Sequence, residues 1–178
     1  MKSQDFHSGP RYSPRVTTIR TFQPTDLDAL VSLSLRAWEP VYDAWRAHLG
    51  ERIYELAYPD WRRSQSDTVR SACATHATTT LVAERDGRPV GFATVVLGAP
   101  GLDTSRTGDV ELIAVDPAVH RAGVGGALMD AALDLMREAG CAYASVWTGG
   151  DDGHGPARAM YEASGFTALP LVHYYREL

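Results

Sequence analysis

Cysteine is scarce in this 178-residue chain: Cys73 and Cys141 are the only two, far apart and without a partner motif. That argues against a disulfide framework and makes reducing cytosol the expected compartment. Positive charge is not in excess either. A formal charge of −5 and a pI near 5.6 speak against nucleic-acid binding by bulk electrostatics. No apolar run approaches the length of a membrane span, and residues 1–14 lack the hydrophobic core of a signal peptide. The expectation is a cytoplasmic protein with no nucleic-acid or membrane partner.

Several chemistries lack their signatures as well. His7, His48, His76, His120, His154 and His173 form no pair at metal-ligand spacing, so no metal site is expected. No Gly-x-Ser-x-Gly elbow occurs, and Cys141 has no evident activating partner. What the chain does have is ordinary globular composition, 44% hydrophobic and 22% charged, enough for the core of one domain. Residues 1–14, rich in Ser, Gly and Pro, read as a flexible tail, and residues 15–178 as a single domain.

Taken in order, residues 15–22 predict a first strand, and Thr25 an N-cap for a helix with Leu27, Leu30, Val31, Leu35 and Trp38 on one stripe. Glu39-Pro40 should end that helix. A second helix is expected from Asp43 to Ala57, interrupted at Gly50, and a third from Asp67 to Thr75. The aromatics of these segments, Trp38, Tyr42, Trp45, Tyr54, Tyr58 and Trp61, either pack helices on a sheet or line a pocket. Two strands, 79–85 and 90–97, flank an Asp86-Gly87 hairpin signal, and a loop follows over 98–108. Then come a strand from Asp109, a helix closed at Gly140, a strand over 141–148, a short helix ending at Gly165 and a last strand over 171–177. This order predicts an α/β (α+β) fold: a central mixed, mostly antiparallel sheet with helices on both faces.

The informative stretch is Asp109–Leu128, a strand stopped by Pro117 and followed by Gly123, Gly125 and Gly126 at a helix start. Backbone N–H groups at such a start can hold an anion. A P-loop is excluded, because no Lys-Ser or Lys-Thr follows the glycines. A dinucleotide fingerprint needs a third glycine where Leu128 stands. A glycine-rich helix start that binds nothing is the remaining alternative.

The spelling His120-x-x-Gly123-x-Gly125-Gly126, preceded by Val115-Asp116-Pro117, resembles the pyrophosphate loop of the GNAT superfamily of acetyl-CoA-dependent N-acetyltransferases. The family has Gln or Arg at the position of His120. A second segment, Ala157–Phe166 with Tyr161, resembles the family's Asn-x-x-Ala-x-x-x-Tyr-x-x-x-Gly-Phe run, with His154 at the Asn position. The resemblance is specific over Asp109–Phe166 and looser from Val16 to Leu97. It implies a GNAT-like fold and acetyl-CoA as cofactor, held by Ile113, Ala114, Val115, His120, Arg121, Ala122, Gly123, Val124, Gly125, Gly126, His154, Ala157 and Tyr161. It also implies that a homodimer would be unsurprising.

Acyl transfer to an amine needs a neutral amine, a donor for the developing oxyanion and a proton for the thiolate. By resemblance, the thioester carbonyl lies against backbone N–H near Ile113, and Tyr161 is the proton donor; otherwise Tyr161 is a packed helix tyrosine. Strand alternation would put Asp109, Glu111, Ile113 and Val115 on one face, making Glu111, then Asp109, the candidate base. Trp38, Tyr42 and Glu111 are the candidate acceptor-binding residues. The expected activity is acetylation of a primary amine on a small molecule. The alternatives are acetylation of a protein N-terminus or lysine, and a non-catalytic acyl-CoA-binding module.

Overall fold

The computed structural model describes residues 16–98, 107–119 and 121–178. The tail expected over 1–14 and the loop residue His120 lie outside the described residues. Five strands, β1 (Thr18–Thr21), β2 (Thr80–Arg85), β3 (Arg88–Leu97), β4 (Thr107–Val115) and β5 (Tyr143–Val146), form one sheet in sequence order. β1 to β4 pair antiparallel, and β5 joins β4 in parallel. A parallel pair cannot be joined by a tight turn, and α4 (Val124–Glu138) makes the crossover. The Asp86–Gly87 turn between β2 and β3 is present as the sequence predicts.

Alternation along the strands feeds two cores. On one face Leu128, Met129, Ala132 and Met136 of α4 pack on Leu81, Ala83, Ala93 and Val95. On the other, α1 (Leu27–Leu49) and α3 (Trp61–Thr75) set Leu30, Leu33, Val69 and Cys73 against Val82, Phe92, Leu112 and Ala114. A mixed, mostly antiparallel sheet with helices on both faces is therefore observed. No helix among the described residues is long and apolar enough to cross a membrane.

Four local expectations are corrected. α1 does not stop at Pro40 but runs through it to Leu49. Pro40 removes one backbone donor, yet Leu35, Val41 and Tyr42 on either side stay packed, and that burial outweighs the lost bond. Thr25 does not cap α1: it lies in a single 3-10 turn, Pro24–Asp26, that precedes the helix and is closed by Asp26 Oδ2 accepting from Gln23 N–H at 2.8 Å. α3 starts at Trp61, six residues before the expected start at Asp67, because the Asp60 carboxylate accepts from Arg63 N–H. Separately, Gly50, with φ of 77°, divides α1 from α2 (Glu51–Ala57). The last strand, expected over 171–177, is absent. Leu171, Val172 and Tyr174 stand exposed, and the segment is tied back by the Tyr58–Tyr175 hydroxyl pair and by Arg52 donating to Glu177.

β1 is short and is anchored by charge. Arg20 donates to both oxygens of the buried Asp26 at 2.7 and 2.9 Å and to Glu84 at 2.8 Å. The hydrogen bonds from Arg20 hold the Asp26 carboxyl below the usual range against the opposing effect of burial, with the Gln23 N–H helping. A depressed carboxyl contributes fully above its unfolded-state value of about 3.9 and loses that contribution as pH falls through the lower folded value. Asp26→Ala leaves Arg20 under-compensated and the Gln23 N–H without its acceptor, so it should cost about 3 kcal/mol in urea unfolding at pH 7. The difference from wild type should shrink below about pH 4.

Candidate active site

The site grows from an interruption in β4. Opposite β3, Thr94 pairs with Leu112 but Val95 with Val110, so Glu111 is an extra, bulged residue. A bulge flips the alternation. Val110 packs on the α4 side, and after the bulge Ile113 and Val115 do so too, while Leu112 and Ala114 face α1 and α3. The expectation that Asp109, Glu111, Ile113 and Val115 share a face is therefore corrected. The Asp109 carboxylate accepts from the Ser145 hydroxyl at 2.6 Å, and Ser145 alternates with Ala144 and Val146 of the α4 side, so both lie on the α1 side. Glu111 reaches towards His76 at the end of α3, at 3.9 Å. Burial first, then the charges of Asp26 and Glu111, pushes the Cys73 thiol of α3 up to about 11.

β5 accompanies β4 only from Thr107–Tyr143 to Val110–Val146. From Glu111 to Val115 that edge of β4 has no strand beside it among the described residues, a geometry that suits an extended ligand. At the end of this open edge the chain turns at Pro117 and enters α4. Gly123 is the N-cap in the left-handed region, with φ of 75° and no side-chain cap. The first helical bond runs from Ala127 N–H to Gly123 carbonyl, so the N–H groups of Val124, Gly125 and Gly126 have no helical partner. These donors at the positive end of a helix fit a pyrophosphate. Arg85 fixes the loop from outside by donating to the Ala122 carbonyl at 2.9 Å.

The two adjacent glycines differ in what they face. A Cβ on Gly125 would come within 2.6 Å of Met160 Sδ on α5 (Gly155–Ala163) and 3.7 Å of Val115, so this glycine lets α5 close on α4. A Cβ on Gly126 would meet nothing within 4 Å. Tyr161 of α5 is 7% exposed and packs with Phe166 at 6.1 Å between ring centres. Burial pushes its hydroxyl up to about 12. Ala157, half-buried, lies against the same core, whereas the Arg121 backbone is in the left-handed region with φ of 61°.

The candidate acceptor residues lie in the helical insert. Tyr42 is 8% exposed and stacks on Trp61 at 4.3 Å, while Trp38 packs beside this cluster, so the aromatics form a core of their own. Asp151, in the loop after β5, belongs to no motif that the sequence shows. It accepts from Trp45 Nε1 at 3.1 Å and pairs with His154 Nδ1 at 2.7 Å. Burial pushes its carboxyl up, but the hydrogen bonds from His154 and Trp45 prevail and hold it below the usual range. Only the fold, which brings the loop after β5 onto α1, reveals this cluster.

The model of the Acetyltransferase (GNAT) family matches residues 38–166. A mycothiol acetyltransferase from Sanguibacter keddieii is 34% identical over 140 residues, 76% of this chain and 44% of that protein. The chain spans less than half the length of that curated relative. Among solved structures, AAC(6')-Iy in complex with the bisubstrate analog CoA-S-monomethyl-acetylneamine superposes with a TM-score of 0.62 at 21% identity, covering 92% of this chain and 99% of that one. A GNAT family acetyltransferase from Brucella melitensis in complex with acetyl-CoA gives 0.56 at 25% identity, covering 86% and 84%.

The contrast between the two glycines is measurable. Gly125→Ala must move the flexible end of Met160, which offsets the gain in helix propensity, so stability should stay about that of wild type. Gly126→Ala, in open space within a helix, should stabilise by about 0.5 kcal/mol. Urea unfolding reads both, and equal effects would contradict the packing described.

Proposed function

The chain belongs to the GNAT acetyltransferase family, and from the open edge of β4 beside the uncapped start of α4 we propose that it moves the acetyl group of acetyl-CoA to a primary amine of a small molecule. The single observation that carries this reading is the loss of β5 pairing after Val110, which opens a strand edge leading directly to the N–H groups of α4 that have no helical partner. The pantetheine arm lies along Ile113, Ala114 and Val115, the pyrophosphate on the loop from His120 to Gly126, and α5 with Ala157 borders the arm. Backbone N–H near Ile113 receives the carbonyl oxygen as it gains charge. A small-molecule acceptor is supported by what is known of the similar proteins, a mycothiol acetyltransferase and a protein crystallised with an acetylneamine analog.

Glu111 is the proposed base. It is the first residue beyond the paired part of β4, and its side chain is 41% exposed, whereas Asp109 lies within the pairing and is engaged by Ser145. A carboxylate there takes the proton of an incoming ammonium, directly or through water. Tyr161 is the proposed acid. Its raised hydroxyl keeps its proton through the neutral range and can release it to a departing thiolate. Trp38 and Tyr42 shape the acceptor side through the aromatic core they build with Trp61.

Acetyl-CoA at millimolar concentration should raise Tm, as any ligand selective for the folded state does. Thiol release should then appear with one or more amines among polyamines, aminoglycosides and amino acids. Tyr161→Phe and Glu111→Gln should each lower kcat by about tenfold to a hundredfold while acetyl-CoA affinity changes little. An unmoved Tm refutes acyl-CoA binding, and equal losses of kcat and affinity refute the assigned roles.

A further inference from the structure

Glu111, the bulged residue at which β5 leaves β4, faces the end of α3. That helix is held firmly, because Val69, Ala72 and Cys73 of its inner side are buried with Val82, Phe92 and Leu112 of the sheet. Its closing hydrogen bond runs from His76 N–H to the Ala72 carbonyl at 2.8 Å. At His76 the backbone leaves the helix, with φ of −116° and ψ of 35°. The His76 carbonyl is then taken up by the start of β2: Thr79 N–H donates to it at 3.0 Å and the Thr80 hydroxyl at 2.9 Å.

Both threonines lead on to the place where β4 bulges. The Thr79 hydroxyl donates to the Val95 carbonyl at 2.6 Å, and Val95 N–H donates to the Thr79 carbonyl at 3.1 Å. The hydroxyls of Thr80 and Thr94, both fully buried, meet at 3.2 Å. Thr94 and Val95 are the two β3 residues between whose partners Glu111 is inserted. The residues that fix the backbone of His76 are therefore those that set the bulge of Glu111. All of these bonds use the His76 backbone, which leaves its ring for Glu111, with Nε2 at 3.9 Å from Oε2.

The Glu111 side chain is 41% exposed and long, so by itself it has much rotamer freedom. Among the described residues no other basic side chain lies within ion-pair distance of it. A carboxylate offers only acceptors, so the imidazole meets it through an N–H. The 3.9 Å separation is just outside a hydrogen bond, and a turn of the exposed glutamate closes it. Hydrogen bonds to catalytic groups are often long until the reactants are in place.

We propose, on the acetyltransferase reading above, that His76 is a positioning residue whose Nε2–H holds one oxygen of the Glu111 carboxylate and so turns the other to the acceptor ammonium. The ring acts through Glu111 alone. The ammonium proton goes to the free Glu111 oxygen and from there to solvent, and no proton passes through the imidazole. Loss of the ring should therefore slow turnover without loosening the cofactor or the amine.

The test measures kcat, the KM of the best acceptor amine and the acetyl-CoA-dependent rise in Tm. The proteins are wild type, His76→Leu, His76→Gln, Glu111→Gln and the double variant Glu111→Gln with His76→Leu. His76→Leu keeps the backbone bonds and should lower kcat by about tenfold, with KM and acetyl-CoA affinity held within about twofold. His76→Gln, whose side-chain amide places an N–H near the position of imidazole Nε2, should recover most of that loss. In the Glu111→Gln background His76→Leu should cost nothing more, since the base it aims is gone. Full turnover in folded His76→Leu, no recovery in His76→Gln, or an undiminished loss in the Glu111→Gln background overturns the proposal and leaves the acetyltransferase reading standing. A wild type that neither binds acetyl-CoA nor releases thiol overturns that reading, and the role of His76 with it.

Discussion

The bulge at Glu111 turns β4 over in mid-strand, and the placement of every other group around the sheet gap depends on it. Before it, Gly108 and Val110 pack on α4; after it, Ile113 and Val115 take that side. The inversion lets the first half of β4 pair with β5 while the second half diverges from it. A bulge raises local twist and leaves one residue without a cross-strand partner. Here that residue is a glutamate, exposed at the point where pairing stops.

Around this divergence the helices divide the work. α4 presents N–H donors without a helical partner at its start and a packed stripe behind them, so the proposed anion site would belong to the same helix that fills the core. α5 lies against α4 through Met160 and Gly125 and carries Tyr161 into the apolar layer. α1, continuous through Pro40, reaches far enough for Trp45 to meet the loop after β5. Had that helix ended at Glu39, Asp151 would lack the indole that fixes it.

The legible parts of the sequence were those governed by local spacing. The Asp86–Gly87 turn, the glycines before α4 and the helix around Tyr161 are each written within a few residues, and all three stand where expected. The illegible parts depend on tertiary pairing. A bulge is invisible in the run Asp109–Val115, because it is defined by the register with β3. The expectation of one shared face therefore failed at Glu111. Likewise nothing local in the sequence marks Asp151, and only contact with α1 distinguishes it. The end of the chain shows the reverse error: Leu171–Glu177 alternates like a strand, yet those residues pair with no strand.

The central claim is that one ligand spans the open edge of β4 and the start of α4. Backbone amide shifts in a 15N-labelled protein titrated with acetyl-CoA test it residue by residue. The largest changes should fall on Glu111–Val115 and Val124–Gly126, with β1 and β2 unmoved. Changes concentrated instead in the cleft of Arg85, Arg88 and Val119 at the hairpin end, or no changes at all, would contradict the account.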